Sequence, residues 1–454
     1  MAKALRQWID KPLYVYLLGL FFLIDRTTQF FFSFNAGLFL VLYGSYCLIT
    51  FLLLFLLRRT ILRKGANLFI LLLWILVLFF SEINNWLSQT FHLYNYKIRY
   101  LFGIYVLIFL AVFFIQRKLS YAIVNSFNKV INSFLLICSL VSLINGITIY
   151  RKERAHQLFL QKSGKELNAG NNSKHDIIWI LMDEYGAPAC LKSELQFNDL
   201  LVDSLKQRGF WVSDSMPSRS DLTILSINSL FNLDDTIPPA NFMYAAKYLK
   251  QGEWVTQLNS TGYKFTALDF LDMPQNNVLK KLPYFPYDYF DQLVYGTLLW
   301  SLNETFLYHN DAFDSYNQGV AQEVCKVVNK KETRPQFIWA HLLIPHMPFC
   351  RDKDGVFIKK TANYKLAKEE EISKEYLDYL VYGNSVVLKL LNSIPDIKNK
   401  TIIISGDHGF RFPYLGAHNP VRKATFCAVY YPGMDTTELN GIRYLQQIPF
   451  HLHY

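Results

Sequence analysis

Residues 176–186 read DIIWILMDEYG, and residues 401–409 read TIIISGDHG. Each is an apolar run of strand length that ends in acidic residues and a glycine, the pattern of a strand buried on both faces. Around them apolar spacing switches between the two periods. Helical spacing is expected over residues 191–207, ending at Gly209, then over 222–232, 243–258 and 370–393. Strands are expected over 210–213, 263–270, 336–343 and 426–431. Strands alternating with helices predict an α/β domain with a mostly parallel sheet covered by helices on both faces. Residues 282–316, rich in Tyr, Phe and Pro, fit neither period.

Upstream the composition changes. Apolar stretches recur at residues 13–24, Ala36–Leu57, 68–80, 101–115 and 131–149. A bilayer-spanning helix needs roughly 20 mostly apolar residues, so this third reads as a multi-span membrane domain of about five helices. The formal charge of +10 sits there too: residues 1–150 carry 13 Lys/Arg against 3 Asp/Glu, and the remainder carries 33 of each. The later domain therefore has no electrostatic footprint for nucleic acid. Lys3, Arg6, Lys11, Arg58, Arg59, Arg63, Lys64, Arg117, Lys118 and Lys129 fall on one side of the spans, against Arg26, Lys97 and Arg99 on the other. The positive-inside tendency places the N-terminus in the cytoplasm and, after five spans, the large domain outside. Ionisable residues are nearly absent from the spans, which argues against a transporter. The expected organisation is residues 1–150 in the membrane, a polar linker over 151–174, and a domain over 175–454.

Ligands of open α/β sheets sit at the carboxyl ends of the strands. Asp183 and Glu184 end the first strand, and Asp407 and His408 end the later one. Carboxylates with an adjacent imidazole form a mixed oxygen and nitrogen donor set suited to Zn²⁺ or Mn²⁺; Asp and Gly also simply end strands at turns. His346 and His418 lie in proline-marked loops, whereas His341 falls inside a strand and reads as a core or supporting residue. Between Ser215 and Asn232 the chain is rich in hydroxyls. Thr223 falls in the first helical turn, where backbone N–H groups and the helix dipole favour an alkoxide and a phosphate. Ser220, Asp221 and Thr223 also fit an ordinary N-cap.

These pieces, in this order, resemble the alkaline phosphatase superfamily in its sulfatase-like membrane branch, most closely the phosphoethanolamine transferases and lipoteichoic acid synthases. The resemblance covers nearly the whole chain. It implies that Asp183 in LMDEYG is the first acidic metal ligand, with Glu184 in the place of the second acid of sulfatases. Thr223-Ile-Leu-Ser226 matches the transferases' T-x-x-S nucleophile pattern, and Asp407-His408-Gly409 matches their Asp-His-Gly. His346 and His418 match histidines that contact the transferred group or a second metal. The proline-cysteine expected after the nucleophile is replaced by Asn228-Ser229, which unsettles the associated disulfides, although Cys190, Cys325, Cys350 and Cys427 could pair in an oxidising compartment.

The resemblance thus implies a multi-pass protein of the inner membrane with an extracytoplasmic, divalent-metal-dependent domain. That domain would move a phosphoethanolamine- or phosphoglycerol-type group from a phospholipid donor, through a phospho-threonine, to an envelope glycan or lipid. A second reading uses Ser215-Met-Pro-Ser-Arg219, which fits the S-x-P-x-R pattern that sulfatases modify. Ser215 would then be the formylglycine nucleophile of a Ca²⁺-dependent sulfuric-ester hydrolase; the threonine-glycine that follows in sulfatases is replaced by Ile224 and Leu225. A third reading is a scaffold that keeps the fold without the metal.

Overall fold

The run that decides the fold becomes β1, Ile177–Met182, and every residue of it is buried. It can be buried because its neighbours on both sides are equally apolar. The other strands are β2 (Trp211–Pro217), β3 (Lys264–Leu268), β4 (Gln336–Leu342), β5 (Thr401–Ser405) and β6 (Ala424–Tyr430), and the sheet order is β2-β6-β5-β1-β4-β3. β5, β1, β4 and β3 run parallel, while β6 is antiparallel to both β5 and β2. The fold class read from the sequence holds, with an antiparallel pair added at one edge.

This computed structural model describes residues 11–30, 34–59, 65–91, 98–115, 118, 120–163, 174–233, 242–250, 252–274, 282, 285–307, 310–359, 367–416, 418–433 and 436–452. Two expected helices are each two shorter ones. Residues 191–207 divide into Pro188–Leu195 and Leu200–Gln207, with Gln196 left-handed at the break and Asp199 capping the second helix. Residues 243–258 divide into Phe242–Lys250 and Glu253–Ser260, with Gly252 as the second N-cap. Trp179, Trp254 and Trp339 pack over the sheet with ring centroids 5.6 Å apart along Trp254–Trp179–Trp339. All three are fully buried, each contributing about 2–3 kcal/mol of burial or more.

Contacts divide the chain into two units: Met1–His156 with Pro283–Tyr308, and Gln157–Leu282 with His309–Tyr454. The first unit holds α1 (Tyr14–Gln29), α2 (Ala36–Leu57), α3 (Ala66–Leu78), α4 (Phe80–Phe91), α5 (Ile98–Ile115) and most of α6 (Tyr121–Ser163). Among the described residues, Ala36–Leu57 and Ala122–Lys152 are long and apolar enough to cross a membrane, and α3 with the start of α4 makes a third candidate bent by 78°. Leu40 is 67% exposed and Val130 64% exposed. Side chains this apolar lie on the outside of a protein when the surroundings are lipid. The chain is a membrane protein.

Two boundaries differ from the expectation. The linker expected from Arg151 is helical to Ser163, because RKERAHQLFLQKS contains no helix breaker and its polarity alone suggested a loop; residues 164–173 lie outside the described residues. Of the stretch 282–316 that fits neither period, residues 283–308 belong with the membrane helices. Their two helices, Tyr289–Val294 and Leu298–Leu307, read poorly as part of an α/β domain because they pack elsewhere.

Candidate active site

β1 and β5 are adjacent and parallel, with Leu181 level with Ser405. Two residues further on, Asp183 and Asp407 leave the sheet side by side at its carboxyl edge. The glycines around Asp407-His408 are required by crowding. A β-carbon on Gly406 would meet the Thr425 hydroxyl, and one on Gly409 the Val421 and Ala424 carbonyls. No other residue lets the turn sit so close to the backbone after it.

One donor atom each from Asp183, Asp407 and His408 lie within 4.8 Å of one another, and all three residues are buried. Nδ1 of His408 donates to the Gly409 carbonyl at 2.8 Å, which leaves the Nε2 lone pair turned to the carboxylates. Oδ2 of Asp407 lies 3.1 Å from that Nε2 yet has no hydrogen-bond partner. Two acceptors face each other across a buried gap with no proton between them, and a cation fits that arrangement. Two carboxylates and one imidazole suit a divalent ion such as Zn²⁺ or Mn²⁺.

Thr223 is the first residue of the Thr223–Phe231 helix, and no side chain caps that helix. Its hydroxyl lies 3.2 Å from His408 Nε2 and 3.4 Å from Asp183 Oδ1. The capping alternative fails for a local reason: the N-cap is Leu222, whose own N–H is taken by Ser220 Oγ at 3.1 Å. Ser226, one turn on, donates to the Asp407 carbonyl at 2.7 Å and pins the helix to the cluster. Gln446 holds the other side, donating to Ser226 Oγ at 3.0 Å and Ser218 Oγ at 3.2 Å.

Glu184 does not join the metal-type cluster. It takes a left-handed backbone (φ 65°), a conformation costing about 1–3 kcal/mol for such a residue. Its N–H donates to Asp407 Oδ1 at 3.0 Å, but its carboxylate accepts from the Arg411 N–H at 2.7 Å and faces the guanidinium at 3.4 Å. The second-acid position is therefore occupied by a counter-ion for Arg411. Arg411 also donates to the Asp221 carbonyl at 3.1 Å and to His346 Nε2 at 3.2 Å. One side chain thus ties together the loops after β1, β2 and β4. No spacing signal in the sequence points to it.

His341, expected inside a strand as a core or supporting residue, is fully buried in β4. Its Nδ1 lies 3.1 Å from Asp269 Oδ1 and its Nε2 3.5 Å from Asp183 Oδ2. Burial works against its charge, but Asp269 and Asp183 push its pKa up to about 10. Burial would raise the pKa of Asp183, but His346, His341 and His408 outweigh it and hold that carboxyl below its ordinary range. Asp407 is held above the ordinary value by burial and then by the Asp183 charge. Asp269, at the end of β3, had no sequence signal of its own.

Two predicted residues make no hydrogen bond to the cluster among the described residues. His418 is exposed. Ser215 is exposed on the edge strand β2, where the pairing with β6 shifts register between Ser213 and Met216. The structure does not bring it to the cluster. All six cysteines are free thiols, so the pairing open to Cys190, Cys325, Cys350 and Cys427 is absent.

The sequence profile of the sulfatase family matches residues 175–438. No curated protein matches the chain. Among solved structures, the integral membrane lipooligosaccharide phosphoethanolamine transferase A of Neisseria meningitidis is similar at 11% identity and a TM-score of 0.43, over 97% of this chain and 92% of that one. The C-terminal periplasmic domain of phosphoethanolamine transferase EptC from Campylobacter jejuni is similar at 12% identity and a TM-score of 0.37, over 63% of this chain and 91% of that one. The corresponding Escherichia coli domain, in complex with Zn, gives 13% identity and a TM-score of 0.37 over 60% and 78%.

Proposed function

The chain belongs to the sulfatase family, and from that premise we propose that it is a metal-dependent phosphotransferase of the membrane with Thr223 as its nucleophile. The observation that carries this reading is the Thr223 hydroxyl, 3.2 Å from His408 Nε2 and 3.4 Å from Asp183 at an uncapped helix start. Asp183, Asp407 and His408 would hold a divalent ion, Zn²⁺ or Mn²⁺ by donor type, with the Thr223 oxygen as a further ligand. Such an ion supplies Lewis-acid polarisation and lowers the pKa of the threonine hydroxyl.

The remaining chemistry belongs to the chain. Thr223 Oγ attacks the phosphorus of a phosphodiester, the bond from phosphorus to the lipid alkoxide breaks, and the proton that the threonine hydroxyl gives up is balanced by the one the departing alkoxide takes. The phospho-threonine keeps the substituent, of phosphoethanolamine or phosphoglycerol type. An acceptor hydroxyl on an envelope glycan or lipid then attacks the same phosphorus, and Thr223 leaves as its hydroxyl. His346 and Arg411 are assigned to the non-bridging oxygens, with the guanidinium giving a charge that does not titrate. His418, exposed to solvent, is assigned to proton delivery. The N–H groups at the helix start favour the developing negative charge.

A phospholipid donor accords with the membrane unit. Residues 283–308 belong to that unit and meet the C-terminal end of α1, where Thr27 bonds Tyr289. The charge bias of the short loops supports a multi-pass inner-membrane protein with an extracytoplasmic domain.

The test is the intact mass of the full chain, purified in detergent with Zn²⁺ or Mn²⁺ and incubated with phospholipid. A gain equal to a phospho-substituent, absent in Thr223→Ala and retained in Ser215→Ala, is the expected result. No gain in the wild type, with Ser215 converted to formylglycine in native-host protein, would overturn it in favour of the sulfuric-ester hydrolase.

A further inference from the structure

The segment 283–308 is flanked on both sides by residues of the catalytic unit yet packs among the membrane helices. The joins are specific. Thr27 and Tyr289 share a hydrogen bond of 2.8 Å, and the Ser81 N–H donates to the Gly296 carbonyl at 2.9 Å. The Tyr289 ring meets Phe30 at 6.0 Å and Phe34 at 6.2 Å, both edge-on. Arg26, paired with Glu82, stands beside the same junction. Every one of these partners lies at one level: the end of α1, the loop before α2, and the bend between α3 and α4.

What the segment leaves outside is apolar. Phe290 is 45% exposed, Tyr295 45% and Leu299 63%, and Phe34, touching Tyr289 at the mouth of α2, is 44% exposed. α2 itself bears exposed Leu40 and Leu48. Aromatic and aliphatic side chains at the end of a span, beside an Arg–Glu pair, match the headgroup-to-acyl boundary of a bilayer, where amphipathic rings are stabilised.

We propose that residues 285–307 form an interfacial collar, a piece of the catalytic half of the sequence seated in the outer boundary of the bilayer with Phe290, Tyr295 and Leu299 against lipid. The occupant is the phospholipid surface itself, because Tyr289 of the segment touches Phe34 immediately before α2, a helix apolar enough to cross a membrane whose Leu40 and Leu48 are exposed. The collar gives the catalytic half of the sequence a stretch seated in the membrane besides α6. This inference rests on the membrane unit and not on the nucleophile assigned above.

The test uses the full chain in phosphatidylethanolamine/phosphatidylglycerol nanodiscs, with a benzophenone amino acid placed singly at Phe290, Leu299, Leu48, Leu200 or Val356. Leu200, 75% exposed, and Val356, 62% exposed, are equally bare positions in the catalytic unit. After irradiation, intact mass should show phospholipid adducts at Phe290 and Leu299 at the Leu48 level, about tenfold above Leu200 and Val356. Adducts at Leu48 with none at Phe290 and Leu299 would overturn the collar. Protein–protein dimers in place of lipid adducts at those two positions would overturn it as well, by showing a second copy on that face.

Discussion

Ser215 and Thr223 lie eight positions apart in one serine-rich segment, and each fits a nucleophile pattern. Their surroundings are opposites. Ser215 is exposed on an edge strand with an irregular register, and Thr223 opens a helix against two buried carboxylates and an imidazole. The contrast separates, by eight residues of the same segment, a hydroxyl set at the carboxyl edge of the parallel strands from one left exposed on an edge strand. A second contrast sharpens the first: adjacent Asp183 and Glu184 are divided by one left-handed residue between the cluster and Arg411.

The largest expected effect breaks or keeps the first contrast. Thr223→Ala should lower the rate of phospho-group transfer by on the order of 10³-fold or more, as for loss of any nucleophile. Ser215→Ala should stay within about twofold, since exposed positions away from the site tolerate change. Steady-state kinetics of both variants decide it; equal losses would erase the distinction.

Metal affinity separates the two acids. Asp407→Asn should weaken Zn²⁺ binding by about 100-fold, and Glu184→Gln by no more than about threefold, because its carboxylate serves Arg411. Equilibrium competition against a chelator reads this directly. A large loss in Glu184→Gln would return Glu184 to the ligand set.

A smaller effect concerns how the helix is pinned. Ser226→Ala removes a buried hydroxyl that donates to the Asp407 carbonyl and accepts from Gln446, leaving partners without their bonds. It should cost about 1–3 kcal/mol of stability. Thermal unfolding in detergent, with Ser215→Ala as the neutral comparison, gives the difference.

The smallest expected effect is electrostatic. Burial would raise the pKa of Asp221, but the Arg422 hydrogen bond at 2.8 Å outweighs it and holds the carboxyl below its ordinary value. A depressed carboxyl stabilises the folded state above its unfolded pKa, and that gain is lost as pH falls through the folded one. Asp221→Asn should therefore cost about 0–1 kcal/mol at neutral pH and nothing once both states are protonated, read from unfolding at a series of pH values.

Much of the molecule was legible because it is local. Apolar runs long enough for a bilayer, alternation of periods, and acids at strand ends are properties of consecutive residues, and α2, β1 and β5 appear at their expected places. Breaks inside helices were harder, since Gln196 carries no sign in its residue type that the chain turns left-handed there. The linker misread had the same origin: polarity marks exposure to water, and an exposed helix is as polar as a loop.

The sequence by itself determined a membrane part, an α/β part, and the residue types able to hold a metal. Tertiary structure alone decided which of two acids faces the cluster, that Arg411 and the Asp269–His341 pair stand behind it, and that residues 283–308 leave the catalytic unit for the membrane helices. The physical reason is the range of the interactions. Periodicity and strand ends are set by neighbours a few positions away. Asp269 meets a partner 72 positions along the chain and Glu184 one 227 positions along, and only the closed sheet brings such groups within hydrogen-bond reach.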